Sequence, residues 1–276
     1  MTWHTIIRDG ARLTCVDTGD GAPVIFQHGL GGDEAQVRDI FPGTAAYRRL
    51  TLECRGHGSS ALGEPARLSI ATFASDVLAF ADQRGHSRFS LGGISMGAAI
   101  ALRIAVTAPE RVSALILSRP AWLWAAAPAS MQVFAEIAAL LRAHDPQTAL
   151  AAFERSPSAA NFAANAPDNL ASLRRFFARP DPAATAALVA AIAADGPGIE
   201  EEEVKSLKVP TLVIGTTQDV IHPLAMAETL ASRIPGATFA RIAAKSADPV
   251  QHGVDFRAAV TAFLAKSLAS EGPPEP

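Results

Sequence analysis

Ser95 stands with a glycine two residues away on either side, in Gly93-Ile94-Ser95-Met96-Gly97. The glycines allow a tight turn and close approach of neighbouring backbone, and the flanking runs RFSLG and GAAIALRIAV predict a strand before the turn and a helix after it. A strand-turn-helix of this kind lifts a serine hydroxyl above a sheet edge in a strained conformation. The helix start places a positive dipole end and the Met96 amide where a tetrahedral oxyanion would form. An ordinary glycine-rich turn is the competing reading. A serine is a weak nucleophile near neutrality, so the chemistry also needs a base within reach and a third group that fixes the base's tautomer, in the chain order Ser, acid, His. Asp219 follows the apolar run TLVIG in GTTQDVIHP; capping a helix that starts near Pro223 is its structural alternative. His222 lies on the same stretch, and its closeness to Asp219 in sequence disfavours it as the base.

The elements that must position these residues are legible as alternating runs. HTIIR and ARLTCVDT, joined at Asp9-Gly10, predict a hairpin that leads into a buried strand, PVIFQ. YRRLTLEC, RFSLGGIS and RVSALILS then read as strands, with ATFASDVLAFADQRG and GAAIALRIAVTA as helices. After VPTLVIGTT come helix PLAMAETLASRI, strand ATFARIA and helix VDFRAAVTAFLAKSL. Strands alternating with helices imply right-handed crossovers and a largely parallel sheet. Between residues 121 and 195 the alternation stops. That stretch is Ala-rich, helical in pattern and punctuated by Pro128, Pro146, Pro157, Pro167, Pro180 and Pro182. The expected organisation is a core domain over 1–120 and 196–270, a helical cap insertion over 121–195, and a disordered tail over 271–276. Glu200 to Glu203 read as a solvated loop or a helix start.

The chain has 276 residues, 49% of them apolar and 18% charged, enough to build a substantial core and too apolar for a disordered chain. A formal charge of −3 with scattered Lys and Arg provides no basic field, so no nucleic-acid partner is expected. The N-terminal residues do not read as a signal peptide, no run approaches a membrane span, and Cys15 and Cys54 fall on separate predicted strands without ligand-like spacing. The expectation is a cytoplasmic protein with two buried thiols and no metal; the abundance of alanine hints at a bacterial source.

Together, GISMG, QHGLGG at Gln27 to Gly32 and CRGHGSS at Cys54 to Ser60 resemble the α/β-hydrolase superfamily in order and spacing over nearly the whole chain. The resemblance implies a mostly parallel, twisted, eight-stranded sheet with helices on both faces. It also implies a second oxyanion donor at the Leu30 amide beside that of Met96, a bracing role for His28, and Asp219 as the acid. Family members usually carry Asp where Glu53 and Cys54 stand here. The family's histidine falls about ten residues before the first aromatic of the closing helix; counting back from Phe256 reaches Ser246, so His252 is the nearest histidine and the candidate base, with Lys245, which occupies nearly the expected position, as the alternative. Arg119, closing the run LILS, can hold an anionic substrate group or brace the insertion, and Trp122 beside it is a second candidate for the pocket. The implied activity is cofactor-free hydrolysis of a small carboxylic ester or lactone by an esterase or enol-lactonase-like enzyme, with an anionic substrate if Arg119 takes the first of its two roles. Carbon-carbon bond hydrolysis, cofactor-free haloperoxidase chemistry, a non-hydrolytic lyase or isomerase, and a catalytically inactive ligand-binding protein remain alternatives on the same fold.

Overall fold

The computed structural model describes residues 1–43 and 46–271. Asp9 and Gly10 both have positive φ, 48° and 75°, and so form the two-residue turn whose twist suits a hairpin. It joins β1 (Thr2–Arg8) to β2 (Ala11–Thr18) in antiparallel register, with Arg8 opposite Ala11. The sheet continues with β3 (Ala22–Gln27), β4 (Tyr47–Leu52), β5 (Phe89–Ile94), β6 (Val112–Ser118), β7 (Thr211–Thr216) and β8 (Thr238–Ile242). Its spatial order is β1-β2-β4-β3-β5-β6-β7-β8, and every pairing from β4 onward is parallel. Each strand overlaps a run read from the sequence.

β5, β6 and β7 are buried along their whole length, as expected for strands covered on both faces. On one face lie α2 (Ile70–Gln83) and α3 (Met96–Thr107), whose Phe73, Val77, Ile100 and Ile104 join the larger apolar core. On the other, α1 (Glu34–Ile40) and the final helix meet the sheet through Val37, Phe256, Val260 and Leu264 around Phe26.

Five α-helices fill the segment that runs from the end of β6 to residue 195: α4 (Gln132–Ala143), α5 (Pro146–Glu154), α6 (Pro157–Asn165), α7 (Pro167–Arg174) and α8 (Pro182–Ala194). Four of them begin on a proline, where the missing N–H costs no intrahelical bond. Asp145, Ser156 and Asp181 cap α5, α6 and α8 by accepting backbone N–H groups. The two ends of this segment are tied together: the Trp122 indole N–H and the Ala127 N–H both donate to the Asp195 carbonyl, at 2.9 and 3.1 Å. The Asp195 carboxylate in turn accepts from Ile70 N at the start of α2, at 2.6 Å.

The chain closes through α9 (Glu201–Lys205), α10 (Leu224–Arg233) and α11 (Pro249–Glu271). The acidic run is the start of α9, where Glu200 and Glu203 form a reciprocal capping box. Of the tail expected over 271–276, Glu271 is the last residue of α11, and 272–276 lie outside the described residues. Cys15 sits in β2, but Cys54 lies past the end of β4: its N–H donates to His28 Nε2 instead of continuing the strand ladder. Both thiols are free and buried, and burial pushes Cys15 up to about 12, so it stays protonated. No helix among the described residues is long and apolar enough to cross a membrane.

Candidate active site

The parallel strands deliver their carboxyl ends to one edge of the sheet, where the crossovers on either side of β3 and β5 leave a crevice. Ser95 stands between β5 and α3 with φ 56° and ψ −112°, a left-handed φ that a non-glycine residue adopts only under constraint. The constraint is visible. Ser95 N donates to Ser118 O at 2.9 Å, and Ser95 O accepts from Ala98 N and Ala99 N in the first turn of α3. A Cβ on Gly93 would overlap the backbone of Gly97, and a Cβ on Gly97 would overlap the Gln27 carbonyl. Both glycines are therefore required for α3 to approach β5 and β3 so closely. Ser95 is 8% exposed, and its Oγ has no hydrogen-bond partner among the described residues.

The loop after β3 is braced from three directions. Gln27 exchanges side-chain hydrogen bonds with the backbone of Leu52, at 3.0 and 3.1 Å. Gly29 N donates to Gln36 Oε1 at 2.7 Å. His28 spans the gap to the loop after β4: Nδ1 donates to Gly29 O at 2.8 Å and Nε2 accepts from Cys54 N at 3.0 Å. With both nitrogens committed and burial holding it down to about 4, His28 is a neutral structural imidazole. Glu53, near the position where relatives carry Asp, accepts from Ser59 N at 2.7 Å and Glu34 N at 3.3 Å. The amides of Leu30 and Met96 donate to no acceptor among the described residues, which leaves both available at the crevice.

The acid and the candidate bases are arranged differently from the expectation. Asp219, at the carboxyl end of β7, is nearly buried and accepts from Arg119 Nε at 2.7 Å. Its other oxygen accepts from the His222 backbone at 3.0 Å and lies 2.8 Å from His222 Nδ1. Burial opposes the charge on Asp219, but His222 and Arg119 outweigh it and hold the carboxyl well below the usual range. No hydrogen bond joins Asp219 to His252. The imidazole paired with the acid is His222, the one disfavoured from sequence; its Nε2 is buried without a partner, and burial lowers its pKa. The His222 loop is held by Asn169 of α7, whose Oδ1 accepts from Val220 N and Ile221 N at 3.0 and 3.2 Å.

His252 lies in the first turn of α11 on the wall of the crevice, where its Nδ1 is 2.8 Å from the Ala243 carbonyl. A carbonyl only accepts, so Nδ1 carries the proton and Nε2 holds the lone pair. Burial, with Arg119 and Lys245 nearby, lowers the His252 pKa and keeps it in the form able to take a proton. Ser246, at the position expected for the family's histidine, hydrogen-bonds Gln218 Oε1 at 2.9 Å.

A cavity of about 830 Å³ opens next to the residues around the elbow, with Leu30, Ile94, Ser118, Arg119, Lys245 and His252 among its walls; Ser95 itself is not one of its lining residues. Trp122 is not on that wall. Its ring is fully buried and its N–H is spent on Asp195, so it closes the helical segment and is not a substrate contact. Arg119 does reach the wall, but Asp219 occupies its guanidinium, so the anion-binding role read from sequence is already filled by an internal carboxylate. Arg175 and Arg179, which follow α7 and also line the cavity, carried no signal in an Ala-rich stretch without a motif.

Sheet order, elbow and braced loops together define a class of fold, and the profile of the alpha/beta hydrolase fold matches residues 22–246. The chain belongs to that family. A putative carbamate hydrolase, RutD, of Klebsiella pneumoniae is 27% identical over 226 residues, which cover 78% of this chain and 81% of the relative. The dihydrolipoyllysine-residue acetyltransferase component of an acetoin cleaving system from Cupriavidus necator is 36% identical over 114 residues, 41% of this chain and 30% of that protein. The matches to this protein and its Pseudomonas putida counterpart span only about a third of those relatives' length. Among solved structures, the enol-lactonase of Burkholderia xenovorans LB400 superposes with a TM-score of 0.75 at 24% identity, covering 95% of this chain and all of that one. At that identity the superposition speaks for the fold.

Proposed function

We propose that this chain hydrolyses a small carboxylic ester or lactone through an acyl-enzyme on Ser95. The observation that carries this reading is a strained serine with an uncommitted hydroxyl, next to two amides that have no acceptor of their own. Ser95 Oγ attacks the carbonyl carbon and its proton passes to His252 Nε2, while the Leu30 and Met96 amides hold the oxyanion. The carbon-oxygen bond then breaks, the leaving alkoxide takes the proton from His252, and water repeats the sequence to free the acid and Ser95. In this scheme the Ala243 carbonyl, and not Asp219, fixes the His252 tautomer. Asp219 acts at one remove, by neutralising Arg119 beside the imidazole. The likeness to a putative carbamate hydrolase supports chemistry at an acyl carbonyl.

A fluorophosphonate probe tests the reading: labelling is expected at Ser95 and absent from Ser95→Ala. An unlabelled wild-type protein overturns it. A second reading, a ligand-binding protein without catalysis, is favoured by the closed Arg119-Asp219-His222 cluster and by the lack of any imidazole bonded to Ser95 Oγ. That reading requires the unlabelled outcome.

A further inference from the structure

The cavity next to the elbow has an uneven charge. Arg119, Arg175, Arg179, Lys245 and Arg257 line it, against the acids Asp33 and Asp39. Most of these groups are engaged elsewhere. Arg119 is paired with Asp219, Arg179 donates to the Gly56 carbonyl, and Arg257 donates to the Asp39 carbonyl. Asp33 caps α1 through Gln36 N, and Asp39 lies 3.4 Å from Arg38. Two cations remain. The side chains of Arg175, just past α7, and Lys245, just past β8, make no hydrogen bond or ion pair with any described residue. One is carried by the helical segment and the other by the loop after β8, and both line the same cavity.

The two are also electrostatically aware of each other. Desolvation at the cavity wall, then Arg119 and Arg175, lower the affinity of the otherwise exposed Lys245 for its proton, while Asp168 and Asp219 act in the opposite sense. Asp168, at the start of α7, is the one acid in this group not saturated by other partners, and it forms no ion pair with Lys245. Both side chains are exposed at the cavity and neither is ion-paired, so an anion that enters meets two uncommitted donors. A guanidinium offers a planar fork to a carboxylate and an ammonium a compact point charge, so one of each suits a single carboxylate.

We infer that Arg175 and Lys245 form a carboxylate-binding clamp in the cavity, so that the substrate is an ester or lactone that also carries a carboxylate. The substrate class rests on the Ser95 reading above; the binding of a carboxylate does not. It moves anion recognition from Arg119, whose charge is spent internally, to a pair with one member on the helical segment.

Binding to the Ser95→Ala protein isolates the clamp from catalysis. Monomethyl glutarate, which carries one carboxylate, and dimethyl glutarate, which carries none, are titrated by NMR. The anion is expected to bind about tenfold or more tightly. That preference should disappear in Ser95→Ala proteins that also carry Arg175→Leu or Lys245→Met, with thermal melting used to verify that each variant is folded. Equal binding of the two esters overturns the inference, as does a preference that survives both substitutions in folded protein. Fluorophosphonate labelling of the wild type is a separate arm. An intact preference with no labelling sinks the hydrolase reading and leaves the clamp standing; labelling without a preference does the reverse.

Discussion

The nucleophile side of the site and its acid-base side are held in place by different means. Ser95, Leu30 and Met96 are positioned by backbone: the Ser95 N–H on Ser118 O, glycines that permit close approach, and a loop pinned through Gln27, His28 and Gln36. Asp219, His222 and His252 are positioned by side chains and loops, and the partners they have chosen are Arg119, Asn169 and the Ala243 carbonyl. Backbone geometry permits few alternatives once glycines are placed. A carboxylate among an arginine and two imidazoles has several stable pairings, and here the one adopted joins the acid to His222 and separates it from His252.

Substitutions on the two sides should therefore differ in size. The largest effect is expected for Ser95→Ala, with kcat for a small ester falling by about 10⁴-fold or more, because the nucleophile itself is lost. Full esterase activity in that variant would place the chemistry elsewhere. Next comes His252→Ala, expected to lower kcat by about 10²- to 10⁴-fold, the range for a general base. If Lys245→Met has that effect and His252→Ala has almost none, the base is the lysine. Asp219→Asn should lower kcat only about tenfold or less, since no hydrogen bond from Asp219 orients His252. A loss as large as that of His252→Ala would mean that the working enzyme re-pairs the two, and the contrast drawn above would fall. Asp219→Ala should be costly in stability instead, by roughly 3–5 kcal/mol in urea unfolding, because it leaves the Arg119 guanidinium without its partner.

The same division explains what could be read from the sequence. The eight strands were legible because each is an apolar run bounded by turn residues, and the first turn announced itself in Asp9-Gly10. Ser95 was legible because its flanking glycines encode a steric requirement, and the bracing role of His28 because it follows from its place in the QHGLGG loop. Cys54 was assigned to a strand because hydrophobicity does not reveal where a ladder ends, and here a histidine from another loop takes the N–H. Nearness to Arg119 in sequence points Trp122 into the pocket, but its indole turns back to the Asp195 carbonyl 73 residues later. The partners of Asp219 were illegible because they depend on how three separate loops meet. Nothing in the composition of the helical segment marks Asn169 or Arg175, since the one is defined by amides it meets some fifty residues later and the other by the cavity it lines.

Acid titration sharpens the comparison at the smallest scale. Burial lowers His28 from its ordinary 6.5 to about 4, so between those values the unfolded chain binds a proton that the folded chain refuses. The stability contributed by neutral His28 is therefore complete above pH 6.5 and declines as pH falls toward 4, by on the order of 3 kcal/mol in all. Asp219 also has a depressed pKa, but its contribution is lost only as pH falls through and below the ordinary carboxylate range. His57, His222 and His252 are lowered by burial as well and add to the slope above pH 4, so the quantity to measure is a difference. Urea unfolding of wild type and His28→Asn from pH 7.5 to 4 should show a shallower decline in the variant. Parallel curves would mean that the imidazole is not holding the oxyanion loop as a neutral brace, and the backbone-built side of the site would lose the feature that separates it from the side built on charge.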